Sequence, residues 1–283
     1  MAGDEPGYRL SATGREEAED ERLDLLEQLV DPGSRRRREL VQPGWRCLEV
    51  GAGRGSMATW LADRVGPAGQ VVATDIDCRY LDRLDVPNLH VIQHNILEDP
   101  LEVLGPGTFD LVSVRLVLFW LTGKQETAIR NMVACLRPGG WLVDEEGDWG
   151  VPGPVDPSHR LYAGYHHAFN NGGWWATRGY DPFFGRTLPA LFDRCGLQNI
   201  DHQATASVVR GASPWARWWQ QNLDVIRAWD WPATAPAKPT RNSTRRSPPP
   251  AATPRSGSSP SSCTPAPASA PVKQRSALPC LPG

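Results

Sequence analysis

Short apolar segments alternate with helical segments through the middle of the chain, and this alternation constrains the fold more than any other feature. Two intervening segments, 56–65 and 125–136, have helical periodicity. Five segments have the length and composition of buried strands, at 47–50, 71–75, 89–93, 109–114 and 141–145. Because repeated strand–helix–strand units connect parallel strands, the sequence predicts an α/β fold, a doubly wound and mostly parallel sheet with helices on both faces.

The chain before this alternation is predicted to form an N-terminal helical cap over residues 1–41. Apolar residues recur at helical spacing from Leu23 to Val30. Asp31-Pro32-Gly33 predicts the end of that helix. The basic run 35–38 then leads into a second, short helix, and such a run is usually a solvated helix face.

The segment after the fifth strand is rich in aromatic residues and glycine. We interpret 150–186, which includes Trp174 and Trp175, as a lid over a ligand or as a packed hydrophobic cover, and both alternatives stay open. A sixth strand is expected near 200–209, and a Trp-rich helix follows it. Together these segments complete a main domain over residues 42–230.

Composition narrows the function classes. The net charge is −2, but residues 231–283 contain seven Lys or Arg and no Asp or Glu, so the preceding domain is acidic and a nucleic-acid partner is not expected. No stretch approaches the ~18 apolar residues of a membrane span, and the first residues do not resemble a secretory signal. We therefore expect a cytoplasmic protein without a membrane partner; its oligomeric state stays open.

The six cysteines have no CxxC or zinc-finger spacing, so free thiols and no metal site are expected.

The segment with the clearest chemistry is a glycine loop, Glu49 to Ser56, which directly follows a strand and opens a helix. Its glycines allow a sharp turn and a close approach of the backbone to a ligand. Asp75 ends the next strand, about 20 residues further on, where a ribose diol is commonly held. A dinucleotide site requires G-x-G-x-x-G, and Ser56 stands at its third glycine. Glu49 would repel a pyrophosphate but suits a cation, such as the ammonium group of a methionine moiety.

Together these segments resemble the class I S-adenosylmethionine-dependent methyltransferases. The resemblance runs from about Gln42 to Gly147 and more loosely to about Trp219. The matching motifs, in strand order, are LEVGAGRG, VVATDID, HNIL, FDLVSVRLVLFWL and LRPGGWLVDEE. The resemblance implies a Rossmann-like fold, S-adenosylmethionine as cofactor and methyl transfer. The Tyr8 region and the leading helix resemble the family's cap over the cofactor.

The resemblance also implies a set of cofactor contacts. Asp75 would accept hydrogen bonds from the ribose, and Arg115 would lie beside the transferred methyl group. Asn95, where the family usually has Asp, would accept the adenine amino group. Ile76 and Ile96 would flank the adenine, and the methionine end would be lined by Glu49, Gly51, Ala52, Gly53 and Gly55. Asp75 and Arg115 could also be surface charges, and Asn95 a turn residue.

Methyl transfer requires an enzyme to position the acceptor and, for a hydroxyl, to remove a proton. No base is identified from the sequence; the weak candidates are His166, His167, Glu145, Glu146 and Asp148. The predicted acceptor is a small molecule, and the aromatic lid would favour an apolar or aromatic one. An NAD(P)-dependent oxidoreductase is disfavoured by Ser56 and by the lack of a Tyr-x-x-x-Lys pair. A non-catalytic cofactor-binding protein is the other alternative.

The carboxyl-terminal segment 231–283 is rich in Pro, Ala, Ser, Thr and Arg and is predicted to be disordered. The same composition is typical of GC-rich DNA translated in a shifted frame, so a frameshift and a genuine tail are both open. In the resembled family a last, antiparallel strand inserts between the fifth and sixth strands. No segment after Trp231 has the apolar character of a strand, so the sheet is predicted to lack this last strand.

Overall fold

The computed structural model of the chain describes residues 16–148, 156–159, 162, 181, 183–206, 208–228 and 273–276. Within these ranges the helices are α1 (Glu16–Arg37), α2 (Ser56–Val65), α3 (Gln125–Cys135), α4 (Leu188–Arg194) and α5 (Pro214–Ala228). The strands are β1 (Arg46–Val50), β2 (Gln70–Asp75), β3 (Leu89–Gln93), β4 (Phe109–Arg115), β5 (Leu136–Glu145), β6 (Ile200–His202) and β7 (Lys273–Ser276). Across this part of the chain, no helix is long and apolar enough to cross a membrane.

The strands form one sheet in the order β3-β2-β1-β4-β5-β7-β6, and every pair is parallel. The predicted α/β class and Rossmann-like, mostly parallel sheet are therefore confirmed. Strand β1 has β2 on one side and β4 on the other, so the strand order reverses there. In open parallel sheets, ligands bind outside the carboxyl ends of the strands at such a point.

Apolar side chains cover both faces of the sheet, as expected for buried parallel strands. On one face, Leu48, Val112 and Leu142 pack with residues of α3 and α4. On the other face, Cys47, Val71, Leu111 and Val143 pack with α2, whose contributing residues are Ala58, Leu61, Ala62 and Val65. Cys47 and Cys135 are fully buried free thiols and pack as small apolar residues of the core.

The predicted end of the first helix at Asp31-Pro32-Gly33 is wrong, because α1 continues through Pro32 to Arg37. Proline removes one helical hydrogen bond, but contacts on both sides of Pro32 hold the helix together. Asp31 binds Arg115 and Arg38 binds Glu145 in long-range ion pairs. The basic run is also only partly a solvated face, since Arg38 is fully buried.

The prediction that the sheet lacks its last strand is wrong. Lys273–Ser276 form β7, which pairs with β5 and with β6 and so occupies the position where the resembled family inserts its last strand. The strand runs parallel to both neighbours rather than antiparallel. A ladder needs only backbone N–H and C=O groups, so a polar segment can satisfy two strand edges although its side chains carry no strand pattern. The rest of 231–283 lies outside the described residues.

Two strand boundaries also differ from the sequence expectations. The fifth strand begins at Leu136 rather than at 141, because Pro138-Gly139-Gly140 lies inside β5, where the register with β4 shifts between Phe109 and Leu111. A bulge of this kind adds unpaired residues to one strand. Strand β6 covers only Ile200–His202 of the expected 200–209.

Of the segment 150–186, the structure describes only 156–159, 162, 181 and 183–186. The predicted lid therefore lies largely outside the described residues.

Candidate active site

A cavity of about 950 Å³ opens along the carboxyl edge of the sheet. Residues that end or follow β3, β2, β1, β4 and β5 line it, and helices α1 and α5 complete the wall. The strand-end residues of the lining are Gln93, His94, Ile96, Asp75–Tyr80, Asp82, Glu49–Arg54, Arg115–Val117, Phe119–Leu121 and Glu146. The cavity therefore lies at the switch point that the topology predicts as a ligand site.

The glycine loop gives the cavity a floor of exposed backbone. Gly51 and Gly53 have φ angles of 67° and 59°, a left-handed conformation that side chains with a Cβ rarely adopt. A Cβ at Gly53 would meet nothing within 4 Å, so this position faces open space. A Cβ at Gly51 would lie 2.3 Å from Cγ2 of Val117, so Gly51 instead allows the loop after β4 to approach closely.

Asp75 ends β2 against this loop. Its Oδ2 accepts the backbone N–H of Gly53 at 2.9 Å, and its Oδ1 accepts that of Asp77 at 3.1 Å. Burial raises the pKa of the Asp75 carboxyl, and the hydrogen bond from Gly53 acts in the opposite direction. The carboxylate is thus fixed at the cavity wall with lone pairs left for a ligand hydroxyl.

Glu49 lies next to the loop and is only 2% exposed. Its Oε2 has no hydrogen-bond partner within the described part of the chain. Burial raises the pKa of this carboxyl, while the nearby Arg38 guanidinium lowers it. An unpaired buried carboxylate oxygen is costly unless a ligand compensates it, and an ammonium group would do so. The residues present therefore fit a ligand with a cationic amine and a ribose diol.

Most of the predicted cofactor residues are brought together at this cavity. Glu49, Gly51, Ala52, Gly53, Asp75, Ile76, Ile96 and Arg115 all contribute to its lining. Gly55 and Asn95 do not. Gly55 packs instead against Leu81 and Leu84, where a Cβ would be 2.5 Å from Leu84 Cδ1. The Asn95 amide oxygen accepts the N–H of Leu97 at 3.0 Å, which is the turn role that the sequence left open.

Arg115 lines the cavity but is drawn towards α1. Its Nη1 lies 2.7 Å from Asp31 Oδ1 and donates to Ser34 Oγ at 3.1 Å. The Ser56 hydroxyl donates to the same Asp31 oxygen at 3.2 Å. Ser56 thus ties the start of α2 to α1 at the position where a dinucleotide site needs glycine, which further disfavours that cofactor class.

The acidic residues at the end of β5 have different surroundings. Glu145 is fully buried, is paired with Arg37 at 2.7 Å and with Arg38, and is absent from the cavity lining. Asp148 pairs with Arg186 at 2.6 Å and also lies outside the lining. Glu146 is the candidate that reaches the cavity. His166 and His167 lie outside the described residues.

Two walls of the cavity were missed by sequence reasoning. Helix α5 contributes Trp218 and Trp219, and the loop after β4 contributes Phe119 and Trp120. The motif after β4 was recognised, but nothing in it distinguishes wall residues from core residues. Helix α1 lines the cavity through Glu19, Arg22, Leu23, Leu26 and Glu27. Within the described ranges, no group of three or more His, Cys, Asp or Glu could hold a metal ion.

A comparison with known families gives one match. A profile of the family described as "Methyltransferase domain" matches residues 48–144. This range begins in β1, ends in β5 and includes the glycine loop and Asp75. The match therefore covers the strand ends that form most of the cavity edge.

Individual relatives cover a similar part of the chain. Over 133 residues it is 31% identical to the ubiquinone/menaquinone biosynthesis C-methyltransferase UbiE of Vibrio campbellii, covering 44% of this chain and 49% of the relative. Over 111 residues it is 35% identical to the protein of that name from Pseudomonas putida, covering 36% and 42%. The chain thus spans about half the length of the curated relatives it matches. A S-adenosylmethionine-dependent methyltransferase structure from Aquifex aeolicus superposes with a TM-score of 0.48 at 15% identity, covering 66% of this chain and 90% of that one.

Proposed function

We propose that this chain, which belongs to the class I S-adenosylmethionine-dependent methyltransferases, transfers a methyl group from S-adenosylmethionine to a small-molecule acceptor. The observation that carries the proposal is the cavity at the switch point of the sheet, where the open Gly53 backbone, Asp75 and the unpaired Glu49 oxygen meet. These groups match a ligand that combines a ribose diol with a methionine amine.

The cofactor would bind along the ends of β1, β2 and β3, which we call the cofactor half of the cavity. Glu49 would bind the ammonium group, and the Gly51–Gly53 backbone would pass along the methionine chain. Asp75 would hold the ribose hydroxyls. Ile76, which is 48% exposed, and Ile96 would cover the adenine faces. Arg115 lies at the border with β4, where the methyl group would point.

The acceptor would bind at the ends of β4 and β5 and against α5, which we call the acceptor half. Its wall contains Phe119, Trp120, Trp218 and Trp219, and aromatic side chains favour flat apolar ligands. The whole cavity is lined by more Asp and Glu than Arg side chains, which disfavours a phosphate-rich acceptor such as a nucleic acid. An apolar or aromatic small molecule fits these surroundings best.

The bound cofactor would supply an electrophilic methyl group on a sulfonium. The contribution of the chain is to hold donor and acceptor in line and to keep water away. Helices α1 and α5 enclose the cavity, and Arg22 of α1 donates to Asn222 of α5 at 3.2 Å. This contact joins the two helices over the strand ends, so it would limit the access of water to the reacting atoms.

The direct test is turnover. The full chain is incubated with S-adenosylmethionine that carries a labelled methyl group and with a panel of small metabolites, and labelled product is counted. We expect transfer to at least one apolar or aromatic compound, and no transfer by a Gly53→Val variant. Binding of S-adenosylmethionine without transfer to any compound would favour the non-catalytic alternative and contradict the proposal.

A further inference from the structure

Glu146 stands at the acceptor half in an arrangement that binding of the cofactor does not use. It is 7% exposed and lines the cavity at the end of β5. Its Oε1 accepts the backbone N–H groups of Val117 at 2.9 Å and Leu118 at 2.6 Å. Its Oε2 has no hydrogen-bond partner among the residues the structure describes. One oxygen is therefore fixed by the protein, while the other is buried without a partner in a residue that lines the cavity.

The loop that holds Glu146 is shaped for this contact. Leu116 has a φ of 57°, which is unfavourable for a residue with a side chain. This turn follows β4 directly, and the next two N–H groups are those that Glu146 accepts. Strain in a lining residue is typical of functional sites. Here it accompanies the fixed orientation of the carboxyl group.

The charges that face Glu146 disfavour its ionised form. Asp144 and Glu145, the last two residues of β5, precede it, and Asp144 is itself a fully buried carboxyl. Arg37 and Arg38 are bound to Glu145, and Arg115 is bound to Asp31. On the 184–187 turn, which donates to Gly147, Arg186 is bound to Asp148. Burial raises the pKa of Glu146 to about 8; the N–H groups of the loop lower it and repulsion from Glu145 raises it.

Building on the proposed function, we propose that Glu146 is the catalytic base and that the acceptor is a hydroxylated aromatic compound whose O–H contacts Oε2. The fixed Oε1 and unpaired Oε2 place a proton acceptor in the acceptor half. The aromatic residues Phe119, Trp120, Trp218 and Trp219 of the same half provide a wall for the ring. Both features belong to the acceptor half, and neither contributes to the predicted cofactor contacts.

The step balances in atoms and charge. The hydroxyl oxygen of the acceptor forms the new O–C bond to the methyl carbon. The C–S bond breaks, and its electron pair stays on sulfur, which becomes a neutral thioether. The hydroxyl proton moves to Oε2 of Glu146, which changes from carboxylate to neutral carboxylic acid. The positive charge of the sulfonium and the negative charge of the carboxylate are thus both lost in one step.

A hydroxyl suits these surroundings better than an amine. A protonated amine needs an ionised partner, and burial beside Asp144 and Glu145 disfavours ionisation of Glu146. A phenol is neutral and weakly acidic, so it can bind to either protonation state of the carboxyl group. Its proton can then move to Oε2 when the carboxylate form is present. The reaction is therefore expected to accelerate as the pH rises towards 8.

The test uses hydroxybenzenes and hydroxynaphthalenes, with their methyl ethers and the corresponding arylmethylamines, which are protonated near neutral pH, as controls. Binding of each compound to the chain saturated with S-adenosylhomocysteine is measured by calorimetry, and labelled methyl transfer is measured from pH 6 to pH 9.5. The variant is Glu146→Gln, which keeps an oxygen that can accept the loop N–H groups. Glu98→Gln, at an exposed position outside the cavity, is the matched control.

We expect at least one hydroxyl compound to bind at least tenfold more tightly than its methyl ether and to be methylated on oxygen. Glu146→Gln should lower kcat by about a hundredfold or more, remove the rise in rate near pH 8 and leave the affinity for S-adenosylmethionine within about twofold. Glu98→Gln should match the wild-type chain. Should Glu146→Gln fail to fold, carbon-13 NMR of labelled Glu in the wild-type chain gives a second readout. It should show a carboxyl that titrates near pH 8 and shifts when the hydroxyl compound binds.

Three results would overturn the inference: an unchanged pH profile in Glu146→Gln, a preference for the arylmethylamines, or no transfer to any hydroxyl compound while other acceptors are methylated. Each of these leaves binding of S-adenosylmethionine intact. Failure of the wild-type chain to bind S-adenosylmethionine would instead contradict the proposed function on which the inference rests.

Discussion

In the cofactor half of the cavity, Asp75 accepts N–H groups from Gly53 and from Asp77, two residues further along the chain. In the acceptor half, Glu146 accepts N–H groups from residues 28 and 29 positions away and keeps one oxygen unpaired. Beside it, Glu145 is held by Arg37, the last residue of α1, and by Arg38, which follows it, both more than 100 positions away. The Gly53–Asp75 contact spans 22 positions within one strand–helix–strand unit. The second half also depends on contacts that reach across the sheet to the α1 region.

This difference bears on how each half of the cavity can vary between related chains. A short glycine loop and a nearby carboxylate can recur in many chains because they depend on few other residues. The acceptor half depends on how β4, β5, α1 and α5 pack, so it can change from one chain to another while the cofactor half is kept. The chemical class of the acceptor is therefore inferred from the charged and aromatic side chains at the ends of β4 and β5.

The largest expected effect comes from the buried charges beneath the acceptor half. Arg38→Ala should lower the free energy of unfolding by about 3–5 kcal/mol, because it leaves the carboxylate of Glu145 buried with one partner fewer. Arg36→Ala, on the exposed side of the same helix, should change it by less than about 0.5 kcal/mol. Urea denaturation measures both. Equal losses in the two variants would show that this network does not hold α1 in place.

The second largest effect expected is a dependence of the free energy of unfolding on pH, caused by Glu146. The pKa of Glu146 is raised to about 8 in the folded chain, so between the unfolded and folded pKa values the folded state holds a proton that the unfolded state releases. The unfolding free energy of the wild-type chain should therefore fall, by about 3 kcal/mol between pH 5 and pH 8 from this group.

Glu146→Gln should lose this component and be more stable than the wild-type chain at pH 8, with a smaller difference at pH 5. Glu145→Gln, one residue away, should be less stable than the wild-type chain at pH 8 because it weakens two ion pairs. Thermal unfolding of the three proteins at both pH values measures this. If the two variants behaved alike, the contrast between the neighbouring carboxyls would be wrong.

The third prediction concerns the floor of the cofactor half. Gly53→Val should reduce affinity for S-adenosylmethionine by at least about a hundredfold, or about 2.7 kcal/mol, because its side chain would enter the cavity. Gly107 also has a left-handed φ with open space around its Cβ position, but it lies outside the cavity lining. Gly107→Val therefore carries the same backbone strain and should bind normally. Loss of binding in both variants would indicate a folding defect.

The smallest effect is expected for the ribose contact. Asp75→Asn keeps an oxygen acceptor but removes its charge, so the affinity for S-adenosylmethionine should fall by about tenfold. Asp85→Asn, exposed and outside the cavity lining, is the control. Calorimetric titration of both variants measures the effect. A change of less than twofold for Asp75→Asn would remove this residue from the proposed ribose site.

Sequence patterns predicted the parts of this molecule whose signals are local. The alternation of strands and helices predicted the sheet, and the glycine loop with Asp75 predicted the cofactor half. The cytoplasmic location and the aromatic lid remain predictions. The continuation of α1 through Pro32 could not be read from the sequence, because it depends on ion pairs of Asp31 and Arg38 with residues of β4 and β5.

The remaining misses have the same kind of cause. Lys273–Ser276 carry no strand pattern because only their backbone is required by β5 and β6. Gly55 and Asn95 have residue types that fit the family's cofactor contacts, but packing against Leu84 and a local turn use them otherwise. Glu145 and Glu146 are identical neighbours in sequence, but Glu145 ends β5 and pairs with Arg37 and Arg38, while Glu146 follows the strand and lines the cavity.

The central claim is that the cavity binds S-adenosylmethionine, and titration calorimetry of the chain with S-adenosylmethionine and, separately, with NAD tests it most directly. The account predicts saturable binding of one S-adenosylmethionine per chain, lost in Gly53→Val and retained in Gly107→Val, with no measurable binding of NAD. Tighter binding of NAD than of S-adenosylmethionine, or binding of S-adenosylmethionine that Gly53→Val leaves unchanged, would contradict it.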